Sequence, residues 1–425
     1  MIEFEKIDCK QLGEVLYGGT HKSGLKIYLL PKKGYSKSYA SFAARIGSID
    51  NEFIAPGETE VTKVPDGVAH FLEHKLFEQQ DGGNVFELYS KTGASANAFT
   101  SFNTTAYIFS ATRDFYANLE ILLDFVGKPY FTHENIAKEQ GIIGQEITMY
   151  DDDANWRVFF NLLGAMYHKN PVRKDIAGTV ESILEIDKDI LYKCYNTFYN
   201  PSNMMLFVCG DVDAATVEQY VDKHVTAAPG GEIKRMYPNE PSGVNKSFIQ
   251  QKLSVASPVF LLGFKDDKNE AQGDGLLYRQ AVTEVLLEML FGKSSKIYNA
   301  LYEQGLINDM FEVDFTSEVQ YSHTIMGGES VNPEKAKEII LHGIKNSRLC
   351  DAELERCKKV LIGRFLRLFN SVENISNLFV SNLFKGVDLF NFPSICEGIT
   401  LNEAKERLQS HFNEENCAMS VILPH

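Results

Sequence analysis

The hydrophobic positions along the chain change period several times, and each change marks an element. Residues 25–31 (LKIYLLP) and 39–47 (YASFAARIG) are dense in β-forming side chains and bounded by Gly, Lys and Pro, which predicts two strands flanking a turn. Val64-Pro65-Asp66-Gly67 reads as a turn, with Asp66 or Gly67 capping the helix that follows. A second helix covers about Gly83 to Lys91 and stops at Gly93. Small and β-branched residues in 94–101 and 104–110 predict a strand hairpin. Phe115, Leu119, Leu122, Leu123 and Val126 then recur at helical spacing until Pro129. Thr132 can open the next helix, which carries Glu139 and Glu146 towards Tyr150. Trp156, Phe159, Phe160, Leu162 and Leu163 predict a core-facing helix, and the aspartates at 151–153 before it read as a solvated helix end. Met204 to Val208 is an apolar strand.

The hydrophobic period disappears between Thr226 and Ser247, where Pro, Gly and Asn dominate, so 227–246 is read as a linker between residues 1–226 and 247–425. The second part resembles a degraded copy of the first. Val68 to Phe77 matches Val282 to Phe291 at a shift of 214, and Asn203 to Val208 matches Asn416 to Val421 at a shift of 213. Ile143-Gly144 and Ile362-Gly363, 219 apart, are a weaker third match. The fold class expected is α+β, as two homologous halves, each a mixed or antiparallel sheet backed by helices on one face.

Composition narrows the partners. A formal net charge of −15 and a pI near 5.2 speak against nucleic acid or an anionic membrane as the main partner and leave a neutral or basic peptide acceptable. No run of 18 apolar residues and no basic-then-apolar amino terminus is present, so a cytoplasmic, non-spanning protein is expected. The seven cysteines are scattered and never paired as Cys-x-x-Cys, which suits reduced, buried thiols. Gly292-Lys293-Ser294 lacks the upstream glycine of a phosphate loop, since Leu287 stands there.

The candidate chemistry sits in His70-Phe71-Leu72-Glu73-His74. On a helix of 3.6 residues per turn, positions i, i+3 and i+4 share a face, so both imidazoles and the carboxylate are neighbours. A catalytic zinc takes three protein ligands and leaves one position open. His70 and His74 supply two candidates, and Glu73 suits a general base. Glu146 is the candidate third ligand. Glu139 lies seven residues before it on the same helix face and is placed to support a ligand from behind. Read from spacing alone, a His-x-x-x-His pair serves equally well in packing or at a surface, with Glu73 making a helical i, i+4 contact. In the second half Glu284, Leu287 and Glu288 stand opposite His70, Glu73 and His74, and Lys358 and Phe365 opposite Glu139 and Glu146, so no metal site is expected there.

His-x-x-Glu-His is the inverted zincin motif. With Gly67-Val68-Ala69 before it, then Asn97-Ala98-Phe99-Thr100, Glu139, Glu146, Asn170-Pro171 and Gly178-Thr179 in order, the chain resembles the pitrilysin family of zinc peptidases. The resemblance is strong in the first half and weak in the second, and points to the branch similar to mitochondrial processing peptidase. It implies one zinc per chain on His70, His74 and Glu146, Glu73 as base, Glu139 as supporting carboxylate, and hydrolysis of extended peptides. It also implies that Ala96-Asn97-Ala98 is an edge strand that takes up peptide substrate by β-augmentation; for Asn97 the alternative is turn chemistry.

One departure stands out. Active relatives carry an arginine and a tyrosine in a second-half run, Leu-Arg-Glu-x-x-Gly-Leu-x-Tyr. Here the run is Leu301-Tyr302-Glu303-Gln304-Gly305-Leu306-Ile307-Asn308, one residue shorter, with Tyr302 and Asn308 at those places. The resemblance then implies a homologous partner subunit that supplies the pair and closes the chamber, as a heterodimer or, failing that, a homodimer. A non-catalytic peptide-holding subunit is the other reading.

Overall fold

The computed structural model of the chain describes residues 2–9, 12–80, 82–266 and 272–425. It divides into two units, each assembled from separate stretches. Unit 1 takes Met1–Ile147, Asp175–Met236 and Leu368–Phe384; unit 2 takes Thr148–Lys174, Tyr237–Arg367 and Lys385–His425. One of the points where the chain passes from unit 1 to unit 2, 236–237, lies inside the stretch without hydrophobic period, while 148–174 and 368–384 each belong to the unit of the other part of the sequence.

Unit 1 is built on a seven-stranded sheet. Its strands are β1 (Glu5–Cys9), β2 (Glu14–Thr20), β3 (Lys26–Pro31), β4 (Ser38–Ala44), β5 (Ser95–Thr100), β6 (Thr105–Ala111) and β7 (Met204–Gly210). They lie in the order β1-β2-β3-β7-β4-β6-β5, and only β3 and β7 run parallel. β3 and β4, the two strands expected on either side of a turn, are not paired with each other: β7 inserts between them. Every residue of β7 is buried, and an all-apolar strand of that kind belongs at a sheet centre with both edges paired. The hairpin of β5 and β6 forms as expected, and β5 is the last strand of the sheet.

Helices α1 (Val68–Leu76), α2 (Val85–Thr92), α3 (Phe115–Gly127) and α4 (His133–Asp151) belong with this sheet. Phe71, Leu72, Leu119, Leu122, Ile136 and Ile143 form one core with Phe42, Leu206 and Val208. α1 starts at Gly67 through its backbone and not a side-chain cap. Gly67 has φ 90°, and a Cβ there would come within 2.4 Å of the Ala177 carbonyl oxygen, so only glycine fits. α4 starts with Thr132 and Asn135 exchanging side-chain and backbone hydrogen bonds, a reciprocal cap.

Unit 2 repeats the plan. Its strands are β8 (Phe248–Leu253), β9 (Val259–Lys265), β10 (Glu312–Ser317), β11 (Ser322–Glu329) and β12 (Cys417–Pro424), in the order β8-β12-β9-β11-β10. Again one neighbouring pair, β8 and β12, is parallel and the rest antiparallel. This is the β3-β7-β4-β6-β5 arrangement with identical polarities, so the shifts of 213 and 214 reflect a duplicated architecture.

Helix α5 (Ala154–Met166) covers one face of this second sheet so closely that a Cβ on Gly263 of β9 would meet Met166 Sδ at 2.5 Å. Three further helices are α6 (Asp274–Phe291), α7 (Lys296–Glu303) and α8 (Asp351–Leu368). Asp266, at the end of β9, is a buried anion shared by Arg279, Arg407 and His411. Burial alone would raise its pKa, but the hydrogen bonds from His411 and Arg407 outweigh burial and hold the carboxyl well below the usual range.

The two copies have traded a helix. α5 follows α4 in sequence yet packs on the sheet of unit 2. α9 (Val372–Leu383) follows α8 and packs on the sheet of unit 1, where Phe379 stacks on Phe207 at 5.4 Å and Asn377 accepts a 3.2 Å hydrogen bond from Tyr39. Each sheet thus has helices on one face, as expected, and in addition one helix from the other half of the sequence on the second face.

Candidate active site

α1 places its side chains by phase. Val68, Phe71, Leu72 and Leu76 are buried in the core, so His70, Glu73 and His74 rise together from the remaining face. α4 runs beside them and contributes Glu139 and, two turns on, Glu146. The structure brings all five side chains together. His74 Nε2 is 3.5 Å from Glu146 Oε2, and His70 Nε2 is 3.8 Å from Glu146 Oε1. Behind His74, Glu139 Oε1 lies 3.1 Å from Nδ1. Glu73 is not part of this cluster and accepts a 2.6 Å hydrogen bond from the Thr100 hydroxyl of β5.

These distances suit an ion. Two ligand atoms each 2.0–2.1 Å from a tetrahedral zinc are about 3.3 Å apart, close to the 3.5 and 3.8 Å separations of these atoms. Two imidazoles and one carboxylate are also a donor set typical of catalytic zinc. Among the described residues, His70, His74 and Glu146 form the one group of three or more His, Cys, Asp and Glu side chains that converges in this way.

The electrostatics favour neutral His70. Burial, helped by His74 nearby, pushes its pKa down to about 4. Burial also acts to lower His74, but the hydrogen bond and charge of Glu139 outweigh it and the net shift is upward. For Glu139 the same bond, with Lys75, overcomes burial and lowers the pKa. Glu73 goes up, because burial outweighs the Thr100 hydrogen bond, which makes it a better base than an ordinary carboxylate.

β5 borders the site as a true edge. It pairs with β6 on one side only, and its residues alternate between exposed and partly buried. The Ala98 N–H donates to the Asn97 side chain at 2.9 Å and not to β6, so it points outward along the free edge. By the two-residue period of a strand, Ala96 points its main chain the same way. A cavity of about 430 Å³ joins this edge to the helices, lined by Asn97, Ala98, Glu73, His74, Glu139 and Ile142 among others.

Two neighbours were not apparent from the sequence. Lys75 is fully buried, bonded to Glu78 and to the Asn135 carbonyl, with Glu139 at 3.6 Å. Its signal was a lysine four residues after Phe71, on the apolar phase of α1. Thr100 stands opposite Thr105 in register, and only the placement of β5 beside α1 turns its hydroxyl into a partner of Glu73.

Among its described residues the second unit has no such arrangement. On α6, Glu288 is bound by Arg364 of α8 at 2.8 Å, and Lys358 is tied to the Glu397 carbonyl at 3.0 Å. Glu284 is bonded to Gln280 at 2.8 Å, and burial raises its pKa to about 7. Tyr302, on α7, stacks on Tyr298, and Asn308 bonds Glu329 at 3.2 Å.

The twice-built fold and its His-His-Glu cluster define a class, and the chain belongs to it: peptidase family M16, the insulinase family. The profile of that family matches residues 53–180, and that of the Peptidase M16 inactive domain matches 185–361. YmfH of Bacillus subtilis (strain 168), described as an uncharacterized zinc protease, is 44% identical over 423 residues, which is 98% of this chain and 99% of that protein. A crystal structure from Alicyclobacillus acidocaldarius described as M16-like superposes with a TM-score of 0.92 at 34% identity, covering 100% of this chain and 99% of the other. Pitrilysin, at 15% identity and a TM-score of 0.77, shares the fold, with 99% of this chain covering 46% of its length. No helix among the described residues is long and apolar enough to cross a membrane.

Proposed function

We propose that this chain is a zinc-dependent endopeptidase subunit that hydrolyses extended peptides. The observation that carries the reading is the convergence of His70, His74 and Glu146 beside a carboxylate, Glu73, that is left out of the cluster and lines, with His74, the cavity along β5. His70 Nε2, His74 Nε2 and a Glu146 oxygen would hold one zinc ion. When bound, zinc acidifies a water molecule and polarises the substrate carbonyl as a Lewis acid. Glu73 would serve as the base that takes a proton from the attacking water and returns it to the departing amine. Glu139 fixes the orientation of His74. The peptide adds to β5 as a further strand, main chain to main chain, at Ala96-Asn97-Ala98.

A second subunit completes the centre. Tyr302 and Asn308 stand where family members carry the arginine and tyrosine that stabilise the carbonyl oxygen, a large part of acyl-transfer catalysis. A homologous partner bearing that pair supplies it and closes the chamber, for which this chain provides about half the length of pitrilysin. The competing reading, a non-catalytic peptide-holding subunit, rests on the same two residues.

Elemental analysis combined with a peptide-library cleavage assay tests the proposal. One zinc per chain and cleavage that increases on mixing with an Arg/Tyr-bearing homologue are expected. Glu73→Gln should keep zinc and lose cleavage, and His70→Ala should lose zinc. Absence of stoichiometric zinc refutes the metal centre, and full activity of the isolated chain refutes the need for a partner.

A further inference from the structure

We infer that Thr100 is a positioning residue for hydrolysis: its hydroxyl fixes one oxygen of Glu73 and ties the base to the strand that receives the peptide. The inference rests on the peptidase reading above and adds a residue to it.

The hydrogen-bond directions are determined by counting protons. A threonine hydroxyl has one hydrogen. Thr105, directly across the hairpin, places its Oγ1 3.4 Å from that of Thr100 but gives its hydrogen to the Ile46 carbonyl at 3.0 Å. Thr100 gives its own to Glu73 Oε2 at 2.6 Å, the length of a charge-assisted bond. Thr100 is the one hydrogen-bond partner of Glu73 among the described residues, so Oε2 is held and Oε1 is the oxygen left to meet water.

Position along β5 gives the bond its second role. Ala96, Ala98 and Thr100 share a strand face and, by the same alternation, direct their main chains to the free edge. Thr100 is two residues beyond Ala98, about 7 Å along the strand. A peptide paired at Ala96 and Ala98 is thereby held at a fixed distance from the hydroxyl that holds the base. Any sliding of β5 would carry Oε2 of Glu73 with it, so substrate register and base position are set by one element.

Thr100→Val removes the hydroxyl at nearly constant shape, and Thr100→Ala removes it with less risk of crowding should the valine variant fold poorly. Thr100→Ser keeps the hydroxyl. With enzyme in excess over a quenched fluorescent peptide, so that a weakly active subunit can be followed, the single-turnover rate constant of the valine and alanine variants should fall roughly 10- to 100-fold, as for loss of a hydrogen bond to a charged group. Half-saturation by peptide should stay within about twofold, since these variants leave the main chain of β5 intact. Zinc content should match wild type, because Thr100 touches no candidate ligand. Thr100→Ser should recover most of the rate. Wild-type rates in the folded valine or alanine variant, loss of zinc from them, or failure of serine to recover the rate would overturn the assignment. Wild-type chain that cleaves no peptide even with a homologous partner would overturn the peptidase reading itself, and this inference with it.

Discussion

Glu139 Oε1 stands 3.1 Å from His74 Nδ1, on the far side of the imidazole from the Nε2 that faces Glu146. The carboxylate therefore selects the tautomer with the proton on Nδ1 and leaves Nε2 free to bind metal. Glu139→Gln keeps the size but not the charge, and zinc affinity should fall about 10- to 100-fold. Competition against a chromophoric chelator measures this, and an unchanged affinity would show that Glu139 does not support His74.

Zinc uptake should release protons, and chiefly from one histidine. His74 is raised above 6.5 by Glu139, whereas burial keeps His70 neutral down to about 4. Since the metal binds only neutral imidazole, affinity should weaken as pH falls through the raised pKa of His74, in a window that opens above 6.5. Calorimetry in buffers of different ionisation enthalpy at pH 7 counts the protons. Release should shrink in Glu139→Gln.

The outward N–H of Ala98 gives the docking edge a direct test. Ala98→Pro deletes that donor without removing a hydrogen bond to β6, and proline is tolerated at sheet edges. Peptide cleavage per mole should fall by roughly fivefold or more, as for loss of a main-chain hydrogen bond, with zinc content unchanged. Equal cleavage by the variant would place the peptide elsewhere.

Asp266 should dominate the acid stability of unit 2. Its folded pKa is depressed below the unfolded value near 3.9, so its contribution is present above that pH and lost as pH falls below it. Asp266→Asn takes the shared anion from Arg279 and Arg407 and should cost about 3–5 kcal/mol at pH 7. Urea unfolding checks both points: the gap between wild type and variant should narrow on going from pH 7 to below pH 3.

That His70, Glu73 and His74 share one helix face, and Glu139 and Glu146 another, was legible in the sequence because that information is local. His70, Glu73 and His74 obey helical phase, Glu139 and Glu146 are two turns apart on a second helix, and Gly67 marks where α1 must begin. The hairpin of β5 and β6 and the duplication were readable for the same reason, as short periods and constant shifts. What depends on choosing a distant neighbour was not legible. An apolar strand such as β7 does not state that it will separate β3 from β4. The apolar stripe of α5 does not state which of two similar sheets it will cover. Thr100 carried no signal of its own, since its role exists only once β5 lies against α1.

The traded helices have a consequence for dividing the chain. The second sheet carries Glu284 and Glu288 at the places of His70 and His74, so its part of the chain brings no counterpart of the His-His-Glu cluster. That part nevertheless carries the cover for Phe207 and Tyr39, and a chain cut at 227–246 would leave the central strands of the first sheet facing water. Each sheet is thus completed by a helix from the other part of the sequence, and the two stretches are one folding problem rather than two.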